Sequence, residues 1–219
     1  MTLEKHTVKA YDKDLQSIAG TLEEMVELLL DSIDMIAQMV KTRDEKFIEK
    51  ITSHDYKINT LDHLIEKKIT AILALRQPMA VDLRYIISSL KVSANLERIG
   101  DQAKSIVKKV AYIGEEKFDN NVENSIFLMI ELSKEMLKNS VRAFNDQDQE
   151  LADLVLKTDD KIDKIYRDLF SIIESESFTK EQVKKITNTL SIAKSFERLA
   201  DHSTNIAEIT KFVATGEIK

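Results

Sequence analysis

The sequence predicts an all-α protein made of two copies of one three-helix unit, and three observations carry that expectation. The first is a scarcity of turn formers: 219 residues include one proline, Pro78, and four glycines, Gly20, Gly100, Gly114 and Gly216. Sheets need frequent turns, and turns draw on Gly and Pro. A chain poor in both and rich in Leu, Ile, Glu, Lys and Ala reads as helix. The second is apolar spacing at the helical period over long stretches. The third is internal repetition: the segment from Ser88 to Val107 aligns with that from Asn188 to Ala207, one hundred positions on. Identities fall at Leu90/Leu190, Glu97/Glu197, Arg98/Arg198, Asp101/Asp201 and Ile106/Ile206. A chance pairing of that length gives about one or two identities.

The elements follow in order. Ile18, Leu22, Met25, Leu29, Ile33, Ile36 and Val40 place a first helix from about Leu3 to Val40. Thr42-Arg43-Asp44-Glu45 reads as a capping box, with the Thr hydroxyl accepting a backbone N–H and the Glu reaching back. The second helix runs through Phe47, Ile51, Ile58, Leu61, Ile65, Ile69 and Ile72. Pro78 marks its end or the next beginning, because proline suits a first turn and disrupts an interior. The third helix runs on to about Ile113. The polar run that opens at Gly114 and ends at Asn121 is the junction, giving units of residues 1–114 and 115–219. The fourth helix covers about Val122 to Phe144, Asn145-Asp146-Gln147-Asp148 is a turn, and the fifth covers about Glu150 to Ile173. A second capping box, Thr179-Lys180-Glu181-Gln182, opens the sixth, which ends near Ala214. A weaker echo pairs His54-Asp55-Tyr56-Lys57-Ile58-Asn59 with Thr158-Asp159-Asp160-Lys161-Ile162-Asp163 on the second helix of each unit. Three antiparallel helices per unit bury one stripe from each.

Composition excludes several classes of function. Hydrophobic residues make up 43%, enough for a core. Acids outnumber bases, 38 to 32, for a net charge of -6, which disfavours nucleic acid as a partner. The absence of cysteine removes disulfides and thiolate metal sites. The N-terminal Met1-Thr2-Leu3-Glu4-Lys5-His6 lacks a signal-peptide core. The most apolar stretch, Met25 to Val40, is interrupted by Glu27, Asp31 and Asp34, so no membrane insertion is expected and a cytoplasmic location is. No glycine-rich phosphate loop, nucleophile elbow or zinc-peptidase motif occurs.

The chemistry lies in the repeated motif. Glu97 and Asp101, and again Glu197 and Asp201, stand four residues apart, which puts both carboxylates on one helix face about 5–6 Å apart at Cβ. Paired carboxylates repel, and a cation relieves the repulsion; oxygen-only donors suit Mg, Ca, Mn or Fe, with zinc also open. The same spacing occurs at Glu27/Asp31 and Glu115/Asp119, so it is repetition in a matched context that singles these pairs out. At about 100° per residue, Val92, Leu96, Ile99, Ala103, Ile106 and Val110 form one apolar stripe, and Ile192, Phe196, Leu199, Ser203 and Ile206 its counterpart. The acids face away from both stripes, toward the bundle surface or a groove. Leu83, Ile86 and Leu90, with Val183, Ile186 and Leu190, continue the acid-bearing face, and packing within the same unit is favoured over contact with the sister unit. Bundle-core di-iron enzymes use Glu-x-x-His pairs. None of His6, His54, His63 and His202 follows a Glu at that spacing, which argues against an enzyme. His54 and His202 are read as surface polar groups, and Arg98 and Arg198 as bridges between the acids or plain surface ion pairs.

Pro78-Met79-Ala80-Val81-Asp82-Leu83-Arg84, Leu96-Glu97-Arg98-Ile99-Gly100-Asp101 and the run from Phe196-Glu197-Arg198-Leu199-Ala200-Asp201-His202 through Asn205-Ile206-Ala207-Glu208 resemble the PhoU family along the whole chain. This is the family of accessory and regulatory proteins of the bacterial phosphate-specific transport system. The resemblance implies two three-helix bundles related by a pseudo-two-fold axis and a homodimer. It implies metal clusters, iron in particular, with zinc, manganese or magnesium as alternatives. The ligands would be Glu97, Asp101, Glu197 and Asp201, with Asp55, Asp159 and Asn205 as further ligands. It also implies a non-enzymatic regulator that restrains phosphate uptake and starvation signalling by contacting the transporter's ATPase subunit and a phosphate-sensing histidine kinase. Two positions depart from the pattern: Ser105 stands where the second unit has Asn205, and Ala200 where the first has Gly100. A carboxylate-bridged metalloenzyme and a metal-free helical adaptor are the alternatives.

Overall fold

The computed structural model describes the backbone of residues 3–114, 118–174 and 180–217. Six helices make up the fold: α1 (Leu3–Thr42), α2 (Lys46–Arg76), α3 (Ala80–Ile113), α4 (Asn120–Asp146), α5 (Gln149–Glu174) and α6 (Lys180–Thr215). Each lies within a few residues of its expected bounds, and among the described residues there is no strand.

The connections are where local chemistry decides. The capping box expected at Thr42 does not form. The Thr42 hydroxyl accepts the Asp44 N–H at 3.4 Å, but it sits at the end of α1, where it donates back to the Gln38 carbonyl at 2.9 Å, as mid-helix threonines do. Thr42 thus becomes the last residue of α1, and Arg43 turns left-handed at φ 58. The N-cap of α2 is Glu45, which offers no side-chain cap; the Asp44 carboxylate accepts the Lys46 N–H at 3.0 Å. The second expected box begins at Thr179, outside the described residues, as do residues 115–117 of the junction. Pro78 sits between helices, after Gln77 closes α2 in the left-handed region and before extended Met79 leads into α3. Asp119 caps α4 by accepting the Asn121 N–H at 3.0 Å.

The two apolar stripes form the seam of each bundle. Val92, Leu96, Ile99, Ala103, Ile106 and Val110 are all buried, as are Ile192, Phe196, Leu199, Ser203 and Ile206. Burial of each large apolar side chain contributes about 1.5–3 kcal/mol before the entropy of ordering is set against it.

Helices α1, α2 and α3 pack together, as do α4, α5 and α6; across the units α3 lies on α6 and α1 on α4. The α3–α6 pair is antiparallel. The Arg84 Nε donates to the Val213 carbonyl at 3.1 Å at one end, and Lys109 Nζ to the Ser191 carbonyl at 3.0 Å and the Ser195 hydroxyl at 2.6 Å at the other. These pairings converge on Gly100 and Ala200, so the pseudo-two-fold axis passes near the middle of both repeated motifs. Tyr85 stacked on Phe144 at 4.9 Å and Lys134 bonded to Asp34 at 2.6 Å hold α4 against α3 and α1. No helix among the described residues is long and apolar enough to cross a membrane.

Candidate metal centre in two acid grooves

The acid-bearing face of α3 is turned toward α2 of its own unit. Ser93 and Lys104 on that face bond to Asp62 and Asp55 on α2, and Ile86, further toward the helix start, is fully buried. Leu83 and Val183, nearer the helix starts, stay exposed.

In the first unit Asp55 is buried, and its carboxylate rests over the motif's glycine: a Cβ at Gly100 would lie 3.5 Å from Asp55 Oδ1. Lys104 places its ammonium between the two helices, donating to Asp55 Oδ2 and, at 3.1 Å, to Asp101 Oδ1. Arg98 lies 3.5 Å from Glu97 and 3.6 Å from Asp101, so it does bridge the acid pair. The hydrogen bond to Asp55, with a second to Asp101, holds the Lys104 ammonium above the usual lysine range. Burial pushes the Glu97 carboxyl up, helped by Asp101, Asp62 and Asp55 and opposed by Arg98.

The second groove, between α5 and α6, has the same acids and a different cation. Asp159 faces Glu197 and Asp201 as Asp55 faces Glu97 and Asp101. The position matching Lys104 holds Thr204, whose hydroxyl donates to the Asp201 carbonyl at 2.7 Å. The position matching Asn59 holds Asp163. Lys194, a turn before Glu197, donates to it at 2.6 Å and leaves Asp159 alone. Asp159 Oδ1 is shut off from solvent with no hydrogen-bond partner. Burial above all, then Asp163, Asp201, Asp160 and Glu197, pushes the Asp159 carboxyl up to about 6. Asp201 is raised by burial and Glu197, while Lys194 and Arg198 act in the opposite sense.

Both grooves offer oxygen donors alone, the set that hard cations take. The orphaned Asp159 Oδ1 fits a cation, because buried polar atoms almost always have a partner. Among the described residues only Asp62, His63 and Glu66 bring three potential ligand atoms within 4.8 Å of one another. A cation in either acid groove would therefore draw its carboxylates closer. The Asp62–His63–Glu66 group escaped the sequence reading, although its spacing puts all three on neighbouring positions of α2. His63 and Glu66 are exposed and bond weakly to each other at 3.3 Å, and Asp62 already accepts the Ser93 hydroxyl at 2.6 Å.

Three other residues have roles that sequence did not reveal. Asn205 is turned to the seam between units, where its amide donates to Asn95 Oδ1 at 3.3 Å. His202 Nδ1 meets the same Asn95 oxygen at 3.0 Å, and burial with nearby Arg98 lowers its pKa. His54 ties α2 to α1 through the Ser32 hydroxyl and the Leu28 carbonyl, at 3.1 and 3.2 Å.

This architecture has close counterparts. The model of the PhoU domain matches residues 22–110 and again residues 126–210. A phosphate-specific transport system accessory protein PhoU homolog of Caulobacter vibrioides is 34% identical over 217 residues, covering 97% of this chain and 93% of the relative. A homolog of the same description from Clostridium acetobutylicum is 30% identical over 213 residues, covering 96% and 97%. Among solved structures, the phosphate transport system regulatory protein PhoU from Streptococcus pneumoniae superposes with a TM-score of 0.84 at 26% identity, covering 95% of this chain and 99% of that one. PhoU from Pseudomonas aeruginosa superposes with a TM-score of 0.75, also at 26% identity, covering 97% and 99%. With both units matched and the repeated motif in register in each, the chain belongs to the PhoU family.

Proposed function

We propose that this protein is a cytoplasmic, non-enzymatic regulator of phosphate transport that restrains the transporter and a phosphate-sensing histidine kinase when phosphate is plentiful. The observation that carries the reading is the end-to-end match to relatives described as accessory proteins of the phosphate-specific transport system. The partners within that system are its ATPase subunit and the kinase, and the regulator acts as a homodimer. Pull-down of the tagged full-length chain from phosphate-replete cells tests this. Recovery of the ATPase or the kinase supports it, and recovery of neither overturns it.

The second part of the proposal is that both acid grooves bind metal, iron first and manganese, zinc or magnesium otherwise. Its support is the duplicated all-oxygen donor set and the unpartnered Asp159 oxygen. Asp55, Glu97 and Asp101 would hold the ion in the first groove, and Asp159, Glu197 and Asp201 in the second. An ion held by these residues would offset the repulsion of the clustered carboxylates, with Asp55 and Asp159 contributing from α2 and α5 and the paired acids from α3 and α6. Elemental analysis of protein purified without chelator should find metal that is lost when Glu97, Asp101, Glu197 and Asp201 are all changed to Ala. Equal, negligible metal in both proteins would leave a metal-free helical adaptor.

A further inference from the structure

We propose that Lys104 is a tethered cation that occupies the first groove in place of a metal, so that the two grooves load in order, the second before the first. This rests on the metal reading of the grooves and concerns a residue outside the repeated acid motif. Lys104 Nζ bonds to acids from both helices of its groove, Asp55 on α2 and Asp101 on α3, and its side chain is only 26% exposed. A metal approaching those oxygens must first expel the ammonium from the position it would take, and then sits near the charge it displaced. Arg98 adds a second, outer cation at 3.5–3.6 Å from Glu97 and Asp101.

The second groove has no such occupant. Its lysine, Lys194, bonds to Glu197 of its own helix, with a side chain 42% exposed. Thr204 stands at the Lys104 position, and Asp163 adds a carboxylate where the first unit has Asn59. Among the described residues no ion pair reaches Asp159, and one of its oxygens is buried without a partner. A cation therefore enters a groove richer in charge, whose lysine holds Glu197 and is not bonded to Asp159.

Mn2+ is a suitable probe, being a hard cation whose free form is counted by electron paramagnetic resonance. Full-length, chelator-stripped protein is titrated, with Asp55→Asn and Asp159→Asn assigning each class of site to its groove. The expected result is a tight class lost in Asp159→Asn and a class at least about tenfold weaker lost in Asp55→Asn. Lys104→Met, which keeps the stem and removes the charge, should tighten the weak class about tenfold or more, and Thr204→Lys should weaken the tight class by a similar factor. Should Lys104→Met not fold, Thr204→Lys decides alone. Equal affinities in the two grooves, or no change with either lysine variant, overturn the role of Lys104 and leave metal binding standing. No Mn2+ bound by any of these proteins overturns both.

Discussion

In the first unit the buried carboxylate of the groove, Asp55, is covered by an ammonium; in the second its counterpart Asp159 is pressed against other acids and left with an unpartnered oxygen. The backbone frame around them is the same, a second helix laid against a third that carries Glu-x-x-x-Asp. The difference comes from a few positions, Lys104 against Thr204 and Asn59 against Asp163, none of them in the motif. A duplicated fold can thus keep its scaffold and its acids while one copy is neutralised from within and the other is held in electrostatic tension. The seam residues should be insensitive to this difference and the groove residues governed by it.

The largest expected effect tests the shared scaffold. Leu96 and Phe196 occupy the same seam position, and both are fully buried. Leu96→Ala should cost about 2–5 kcal/mol and Phe196→Ala about 3–5 kcal/mol in urea unfolding. A loss below about 1 kcal/mol in one unit alone would mean that the two seams are not equivalent.

The groove cations come next. Lys104→Met leaves Asp55 buried and unpaired, and should destabilise the protein by about 1–3 kcal/mol. Lys194→Met takes a partner from Glu197, whose side chain is 15% exposed, but the lysine is itself 42% exposed and the pair lies within α6, so the loss should be smaller, about 1 kcal/mol. Chemical denaturation of the two variants at neutral pH reads the contrast, and equal losses would erase it.

What the sequence revealed divides along the same line. The seams and the six helices were legible because period and repetition are properties of one chain read in order: Ile99 and Leu199 declare their faces by spacing alone. The acids of the second helices were legible only through the echo around Asp55 and Asp159. Lys104 was not, because a lysine one turn past an acid is ordinary in a chain that is 32% charged, and its importance lies in Asp55 arriving from another helix. Asn205 is a ligand only by the family resemblance. Its turn toward Asn95 depends on how α3 meets α6, which no local pattern encodes.

A pH titration of stability sharpens the comparison from the second groove. Asp159 is pushed up to about 6 in the folded protein, from an ordinary 3.8. The folded state therefore holds that proton more tightly than the unfolded chain, so stability from this group falls as pH rises from about 4 to about 6 and stays reduced above. Asp159→Asn removes the penalty. In metal-free buffer it should be more stable than the parent at pH 7 by on the order of 1 kcal/mol, the half-buried carboxyl being partly screened. The advantage should vanish below pH 4. Asp55→Asn should show the opposite sign at pH 7, because it leaves Lys104 without its main partner. If both substitutions stabilise, Lys104 is not neutralising the first groove.

The smallest effect concerns the residue under Asp55. Gly100 and Ala200 are matched positions at the centre of the two motifs, and a Cβ at Gly100 would meet Asp55 Oδ1 and the Ile58 Cδ1 at 3.5 Å and a Leu29 Cδ at 3.7 Å. Those are ordinary contacts, with room for a methyl group and no carboxylate to move. Glycine in a helix interior costs about 1 kcal/mol relative to alanine, so Gly100→Ala should stabilise the protein by up to about 1 kcal/mol. The thermal midpoint should rise by a few degrees, and the Mn2+ affinity of the first groove should not change. A fall in stability would show that Asp55 and Lys104 need the open backbone beneath them. The asymmetry of the grooves would then reach into the motif itself, with Ala200 tolerated only because no ammonium fixes Asp159 in the same place.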